Sequence, residues 1–120
     1  MPSYDTNNIF ARILRREIPA SIVYEDEYAL AFHDAHPHAP IHVLVIPKGE
    51  SVSFSDFSTP ASPDLILGFT HAIDRVATQL GLQSQGFRLI VNQGSHGGQE
   101  VPHYHIHLLG GKKLGAMVEG

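Results

Sequence analysis

Three histidines alternate with apolar residues in the run His103-Tyr-His105-Ile-His107-Leu-Leu109. Strict polar/apolar alternation predicts a half-buried β-strand, because successive side chains of a strand point to opposite faces. We expect the strand to span Val101–Leu109, with the three imidazoles on one face, roughly 6.5–7 Å apart. That spacing lets several rings converge on one small anion or one metal ion. The side chains expected in the core are those of Tyr104, Ile106 and Leu108.

Periodicity and capping residues predict the other elements. We expect helices over residues 8–17 and 63–80, the second capped by Ser62 and ended by Gly81, and strands over 21–24, 28–33, 41–46 and 87–92. Residues 34–40 are a predicted loop, residues 50–63 a Ser- and Pro-rich segment predicted to be mobile, and residues 93–99 a Gly-rich loop. The C-terminal stretch, 111–120, is a predicted tail. The apolar face of the second helix should consist of Leu65, Ile66, Phe69, Ile73, Val76, Ala77 and Leu80.

The helices are segregated from hairpin-like strands, which predicts an α+β fold with a mostly antiparallel sheet of five strands and two helices. A chain of 120 residues is large enough to form one domain, 1–120, without disulfides or a structural metal.

Composition narrows the function classes. The chain has no cysteine, which removes thiol nucleophiles and Cys-based zinc sites and fits a reducing cytoplasm. It carries a net charge of −4 without any block of Lys or Arg, so we expect no nucleic-acid partner. The apolar stretches are too short for a membrane span, so we expect no membrane partner either.

The histidine run has three interpretations. The rings could be solvated or simply hydrogen-bonded, but three at alternate positions beside a Gly-rich loop favour a site. They could hold zinc, yet no accompanying metal motif is present, and we expect no bound metal and no cofactor. They could act on phosphorus, because neutral imidazole is a good nucleophile near pH 7 and its neighbours can donate hydrogen bonds to phosphate oxygens. The third interpretation is favoured.

Other residues extend the predicted site. His42 is the lone polar residue of a buried apolar strand and would be a fourth ring beside the triplet. Asn92 ends its strand directly before the Gly-rich loop, whose N–H groups could face an anion. Asp34, at a strand end, could bind a sugar hydroxyl or be an ordinary turn residue. The remaining histidines are predicted to be surface or loop residues, namely His33, His36, His38, His71 and His96.

The run resembles the His-φ-His-φ-His-φ-φ signature of the histidine triad (HIT) superfamily, where φ is apolar. Several further segments resemble its Hint branch in order and spacing, so the likeness covers nearly the whole chain. These segments are Asn8–Ile13, Glu17–Ala20, Ala31–Asp34, Ala39–His42, Ile46–Lys48, Val91–Gly94, Gly97–Val101 and Leu109–Gly111.

The resemblance implies a homodimeric purine nucleoside phosphoramidase, with the sheet continued across the dimer. Such enzymes cleave the P–N bond of adenosine 5′-phosphoramidates or lysyl-AMP and release AMP. By position, His105 would be the nucleophile and the backbone carbonyl of His103 would orient it. His107, His42 and Asn92 would position the nucleophile and contact the phosphate, with His107 or His103 as the acid for the leaving amine.

The same resemblance implies a nucleotide-binding set. Asp34 would bind the ribose hydroxyls, and the phosphate oxygens would meet Gly98 and the backbone around Glu100 and Val101. Glu100 stands where many animal relatives have a serine. The base pocket would be lined by Ile9, Phe10, Ile13, Phe32 and His33.

Alternatives remain at this stage. A Fhit-like dinucleoside polyphosphate hydrolase shares the triad. A transferase of the galactose-1-phosphate uridylyltransferase type typically has glutamine at the third triad position, where this chain has His107. A regulatory module that binds nucleotide or zinc without catalytic purpose is the rival from another class.

Overall fold

A computed structural model describes residues 3–118. The fold is built on a five-stranded sheet in the order β1-β2-β3-β5-β4. All neighbouring strands are antiparallel. The α+β prediction is therefore confirmed. The strands are β1 (Ile22–Glu25), β2 (Ala29–His33), β3 (Ile41–Pro47), β4 (Arg88–Val91) and β5 (Ile106–Gly110).

Four helices occur within the described residues, two more than predicted. They are α1 (Ile9–Leu14), α2 (Phe54–Ser58), α3 (Pro63–Gln79) and α4 (Gly94–Gly97). The side chains of Asn8 and Ser62 cap α1 and α3 by accepting backbone N–H bonds at 2.9 and 3.3 Å, and the cap at Ser62 is the predicted one. The first helix ends before the predicted Glu17, because Arg16 adopts a left-handed conformation with φ 64°.

The unpredicted helices lie in segments whose composition indicates loops. Helix α2 falls inside the Ser- and Pro-rich stretch; Ser53 caps it and Phe57 anchors it in the core. Helix α4 is a single turn of the Gly-rich loop and ends at Gly98, whose φ of 76° suits glycine. The mobility of residues 50–63 stays a prediction. The predicted tail contains no helix or strand over 111–118, and residues 119–120 lie outside the described range.

The two faces of the sheet carry separate apolar clusters, as the alternation of side chains along a strand requires. Odd-numbered residues of β2 and β3 pack with α2 and α3, and even-numbered ones pack with α1. The α3-face cluster includes Val43, Val45, Phe69, Val76, Tyr104, Ile106 and Leu108. The α1-face cluster consists of Phe10, Ile13, Leu30, Phe32, Leu44 and Ile46.

Two details of the predicted core are wrong. Leu65 and Ile66 are 43% and 39% exposed, because contact between α3 and the sheet starts one turn later, at Phe69.

No helix within residues 3–118 has both the length and the apolarity needed to cross a membrane.

The predicted histidine strand is also shorter than expected. Residues before Ile106 leave the sheet: the His103 N–H bonds to the Val101 carbonyl, and the Tyr104 N–H bonds to the Ser51 carbonyl at 2.8 Å. One local turn bond, at His103, and one long-range bond, from Tyr104 to Ser51, thus replace strand pairing in the segment before Ile106. The alternation itself persists, since the intervening apolar side chains enter the α3-face cluster and the imidazoles lie on the α1 face.

Candidate functional site

A pocket of about 710 Å³ opens on the α1 face of the sheet. That volume is typical of small-molecule sites. Every residue that sequence analysis assigns to catalysis or nucleotide binding lines this pocket, with the sole exception of His103. Their roles stay predictions, but the structure brings the residues together from α1, the strands β2, β3, β5 and the end of β4, and the loop after α4.

His103 lies behind the pocket and is fully buried. Its Nε2 is 3.1 Å from the carbonyl oxygen of Pro47, at the end of β3, and its Nδ1 is 2.6 Å from the Tyr4 hydroxyl. A carbonyl only accepts, so the ring donates from Nε2. Burial lowers the pKa of His103 to about 4, which keeps the ring neutral near pH 7. The prediction that all three imidazoles lie together on one open face of the strand is therefore wrong for His103.

His105 lines the pocket with a largely buried ring, 6% exposed. Its Nδ1 donates to the backbone carbonyl of His103 at 2.6 Å, so the lone pair of the neutral ring is on Nε2. The Phe10 ring meets it edge-on, with centroids 5.0 Å apart. Burial is the main cause that lowers the pKa of His105, which favours the neutral, nucleophilic form.

His42 and His107 form a hydrogen-bonded pair on the same face of the sheet. His107 of β5 pairs with Leu44 of β3, which makes His42 its diagonal neighbour. The backbone N–H of His38 donates to His42 Nδ1 at 3.0 Å, so the proton of the neutral His42 ring is on Nε2. That nitrogen lies 2.9 Å from His107 Nδ1. His107 therefore carries its own proton on Nε2, and burial lowers its pKa to about 4.

Asp34 lies at the edge of this pair. Its Oδ2 is 3.4 Å from His42 Nε2, and its Oδ1 accepts the backbone N–H of His36 at 2.8 Å. Ligand atoms of Asp34, His42 and His107 all lie within 4.8 Å of one another, close enough to be considered for a metal ion. The bond from the His38 N–H leaves the His42 proton on Nε2, however, so that nitrogen has no lone pair for a metal. The three groups fit a hydrogen-bonded chain better than a ligand set.

The opposite rim of the pocket is formed by the loop after β4. Asn92 donates from its side-chain amide to the Gly97 carbonyl at 2.6 Å, which holds α4 against the end of the strand. Gln99 donates to the carbonyls of Val52 and Val101 at 2.7 and 3.0 Å. These bonds fix the backbone that carries Gly98 and the exposed Glu100 beside the imidazoles.

The far end of the pocket is apolar. Phe10 and Phe32 meet edge-on at 5.5 Å, and Ile9, Ile13 and Val101 complete this wall, with the exposed His33 at its rim. A planar, largely apolar group fits such a wall, whereas a charged group fits the imidazole end.

Sequence analysis missed several pocket residues. His36 and His38 are exposed loop residues, as predicted, but both also line the pocket and donate backbone N–H bonds to Asp34 and His42. The two-proline loop that carries them, directly before His42, is the signal that could have placed them. The other missed lining residues are Ile18, Pro19, Ala20, Ser21, Ala35 and Leu44. Tyr4 does not line the pocket, but it contacts His103, and no sequence signal indicates that contact.

Comparison with known proteins identifies close relatives. A family model described as the HIT domain matches residues 15–114. An uncharacterised 13.2 kDa HIT-like protein of Azospirillum brasilense is 51% identical over 116 residues, which cover 97% of this chain and 95% of that protein. The purine nucleoside phosphoramidase of Escherichia coli K12 is 46% identical over 110 residues, 92% of each chain. The structure of a histidine triad protein from Clostridium difficile superimposes with a TM-score of 0.86 at 42% identity, covering 95% of this chain and 98% of that one.

Proposed function

Because the chain belongs to the HIT domain family, we propose that it hydrolyses the P–N bond of purine nucleoside 5′-phosphoramidates, including lysyl-AMP, and releases AMP. The observation that carries this proposal is the His105 ring, whose Nδ1–H is bonded to the His103 carbonyl while Nε2 is left free at the pocket. The name of the Escherichia coli relative, purine nucleoside phosphoramidase, points to the same chemistry.

The first step forms a covalent intermediate. His105 Nε2 bonds to the phosphorus as the P–N bond breaks, and the amine departs with a proton. The bound phosphate favours protonation of the adjacent imidazoles, and His107, which lines the pocket and uses Nδ1 for its bond to His42, supplies that proton from Nε2. His103 is a poor acid for this step, because it lies behind the pocket with its Nε2–H bonded to Pro47.

The second step regenerates the enzyme. Water attacks the phosphorus, the bond to His105 breaks, and AMP leaves while the water proton returns to His107. His42, Asn92 and Gly98 contact the phosphate side, and Asp34 binds the ribose hydroxyls. The aromatic and aliphatic end of the pocket takes the purine base.

The proposal includes a homodimer. Within residues 3–118, β4 pairs only with β5, and its outer edge is open. Three apolar side chains on or beside it are 38–44% exposed, namely Phe87, Leu89 and Val91. An open edge with exposed apolar residues suits pairing with a second copy, which would continue the sheet.

A comparison of substrates tests the reaction class. Steady-state rates on adenosine 5′-phosphoramidate, lysyl-AMP and diadenosine polyphosphates should show kcat/KM highest for the two P–N substrates. A preference for diadenosine polyphosphates would instead assign the chain to dinucleoside polyphosphate hydrolysis. Activity that is lost on chelation and restored by zinc would contradict the metal-free mechanism.

Glu100 gives a second prediction, on the leaving group. Its carboxylate lines the pocket and is close enough to His105 to affect its pKa. We expect it to attract a cationic amine. Glu100→Ser should therefore lower kcat/KM for lysyl-AMP, relative to an uncharged amine leaving group, by about two- to fivefold, as for a screened surface ion pair. Glu27→Ser, at an exposed turn, is the matched control. An unchanged ratio for Glu100→Ser would disprove the assignment.

A further inference from the structure

Tyr4 makes a long-range contact that connects the N-terminal segment with the histidine run, residues 103–109. Its hydroxyl lies 2.6 Å from His103 Nδ1, although the two residues are 99 positions apart. The two rings also meet edge-on, with centroids 5.6 Å apart. Tyr4 is half-buried and does not line the pocket, so it is not placed to touch a substrate.

The direction of this bond follows from the other nitrogen of the same ring. The Pro47 carbonyl can only accept, so His103 carries its proton on Nε2 and offers a lone pair at Nδ1. The Tyr4 hydroxyl must then donate. With this bond in place, no buried side-chain nitrogen or oxygen within residues 3–118 lacks a partner. A fully buried imidazole held at both nitrogens has one orientation and one tautomer.

The orientation of the His103 ring affects His105, the proposed nucleophile, through the backbone of His103. The carbonyl of His103 itself accepts the Nδ1–H of His105 at 2.6 Å. The Phe10 ring packs edge-on against both imidazoles, at 6.4 and 5.0 Å. Tyr4 and Pro47, from two separate segments, thus hydrogen-bond the two ring nitrogens of His103. The backbone carbonyl that orients the His105 ring belongs to this same residue.

We infer that Tyr4 is a positioning residue for the nucleophile: its hydroxyl fixes the His103 ring, and through it the carbonyl that holds His105 in the Nδ1–H tautomer. The inference rests on the proposed function for its kinetic consequence but not for its structural one. Loss of the hydroxyl frees His103 Nδ1, so the ring can rotate or take up its proton there. The His103 carbonyl, which accepts the Nδ1–H of His105, then loses its fixed direction.

Tyr4→Phe tests the inference in the full-length protein, because it keeps the aromatic contact and removes only the hydroxyl. We expect kcat on adenosine 5′-phosphoramidate to fall about ten- to a hundredfold, typical of a misplaced reacting group, with KM changed less than twofold. Tyr24→Phe is the matched control: it also removes a hydrogen-bonded hydroxyl, one that donates to Asp26 at 2.8 Å away from the pocket.

Imidazole nitrogen NMR provides the readout that a merely structural role would not change. In the unmutated protein, two-bond proton–nitrogen spectra should show His103 protonated at Nε2 and His105 at Nδ1. In Tyr4→Phe, both signals should move toward mixed tautomers, and in Tyr24→Phe neither should move. His103 protonated at Nδ1 in the unmutated protein would overturn the inference.

Two further outcomes separate the possible failures. If Tyr4→Phe lowers Tm but retains kcat and the nitrogen shifts, Tyr4 only stabilises the fold and the inference is wrong. If the unmutated protein does not cleave phosphoramidates, the proposed function fails, while the spectra still show whether Tyr4 sets the His103 and His105 tautomers.

Discussion

Replacing the proposed nucleophile by asparagine, His105→Asn, should lower phosphoramidate hydrolysis by at least about a thousandfold, because removal of a nucleophile abolishes the covalent route. The asparagine amide can still donate to the His103 carbonyl, so the local backbone should persist. AMP should still bind within about threefold of its original affinity, because the apolar wall and the phosphate-side loop are untouched. Single-turnover kinetics and calorimetry with AMP measure the two effects separately.

His71→Asn provides the control for this substitution, since His71 is exposed on α3. It should leave turnover unchanged. Rapid quenching in an alkaline denaturant during turnover should trap a nucleotidyl adduct on the unmutated chain, because a P–N bond to imidazole survives alkali better than acid. The adduct should be detectable by mass spectrometry under non-acidic conditions, and none should form on His105→Asn. Turnover that survives the change at His105 would remove the covalent mechanism, whereas loss of both turnover and AMP binding would show that the variant damages the pocket itself.

The periodic elements of the fold were predictable because burial imposes a period on the sequence. Helix α3 has a serine cap, a proline in its first turn and an apolar stripe, and the structure has it at nearly the predicted residues. Helix α2 was not predictable in the same way. Its five residues are too few to show a periodic pattern. It is stabilised by the Ser53 cap and by the burial of Phe57 among side chains that are distant in sequence.

Sequence analysis could predict which residues gather around the pocket but not how they are arranged, and their roles stay predictions. The alternating histidines and the isolated His42 indicate a cluster by pattern alone. The family resemblance adds the apolar wall and favours the sugar-binding interpretation of Asp34. The proton positions depend on partners far away in sequence, such as Pro47 for His103, and on one backbone N–H, from His38 to His42. Tertiary contacts of this kind leave no local signal, which is why His103 was expected on an open strand face instead of in the core.

The buried imidazoles also make the fold sensitive to acid. The pKa of His42 and that of His105 are lowered by burial, and the pKa values of His103 and His107 fall from 6.5 to about 4. In the unfolded chain these rings take up protons as the pH falls through about 6.5, while the folded chain keeps them neutral. The unfolded state therefore binds more protons between pH 6.5 and pH 4, and the free energy of unfolding must decrease as the pH falls through this window.

For the fully buried His103, this shift corresponds to roughly 3 kcal/mol at most, a substantial part of the 5–15 kcal/mol that is typical of a domain. Urea unfolding at several pH values between 7 and 4 should show the loss. His103→Gln removes one such group, so the slope of unfolding free energy against pH should fall by up to about 1.4 kcal/mol per pH unit. His71→Asn controls for histidine substitution as such. An equal slope in His103→Gln and the unmutated chain would mean that His103 is protonated in the folded state, which would also contradict the hydrogen bond that Tyr4 donates to its Nδ1.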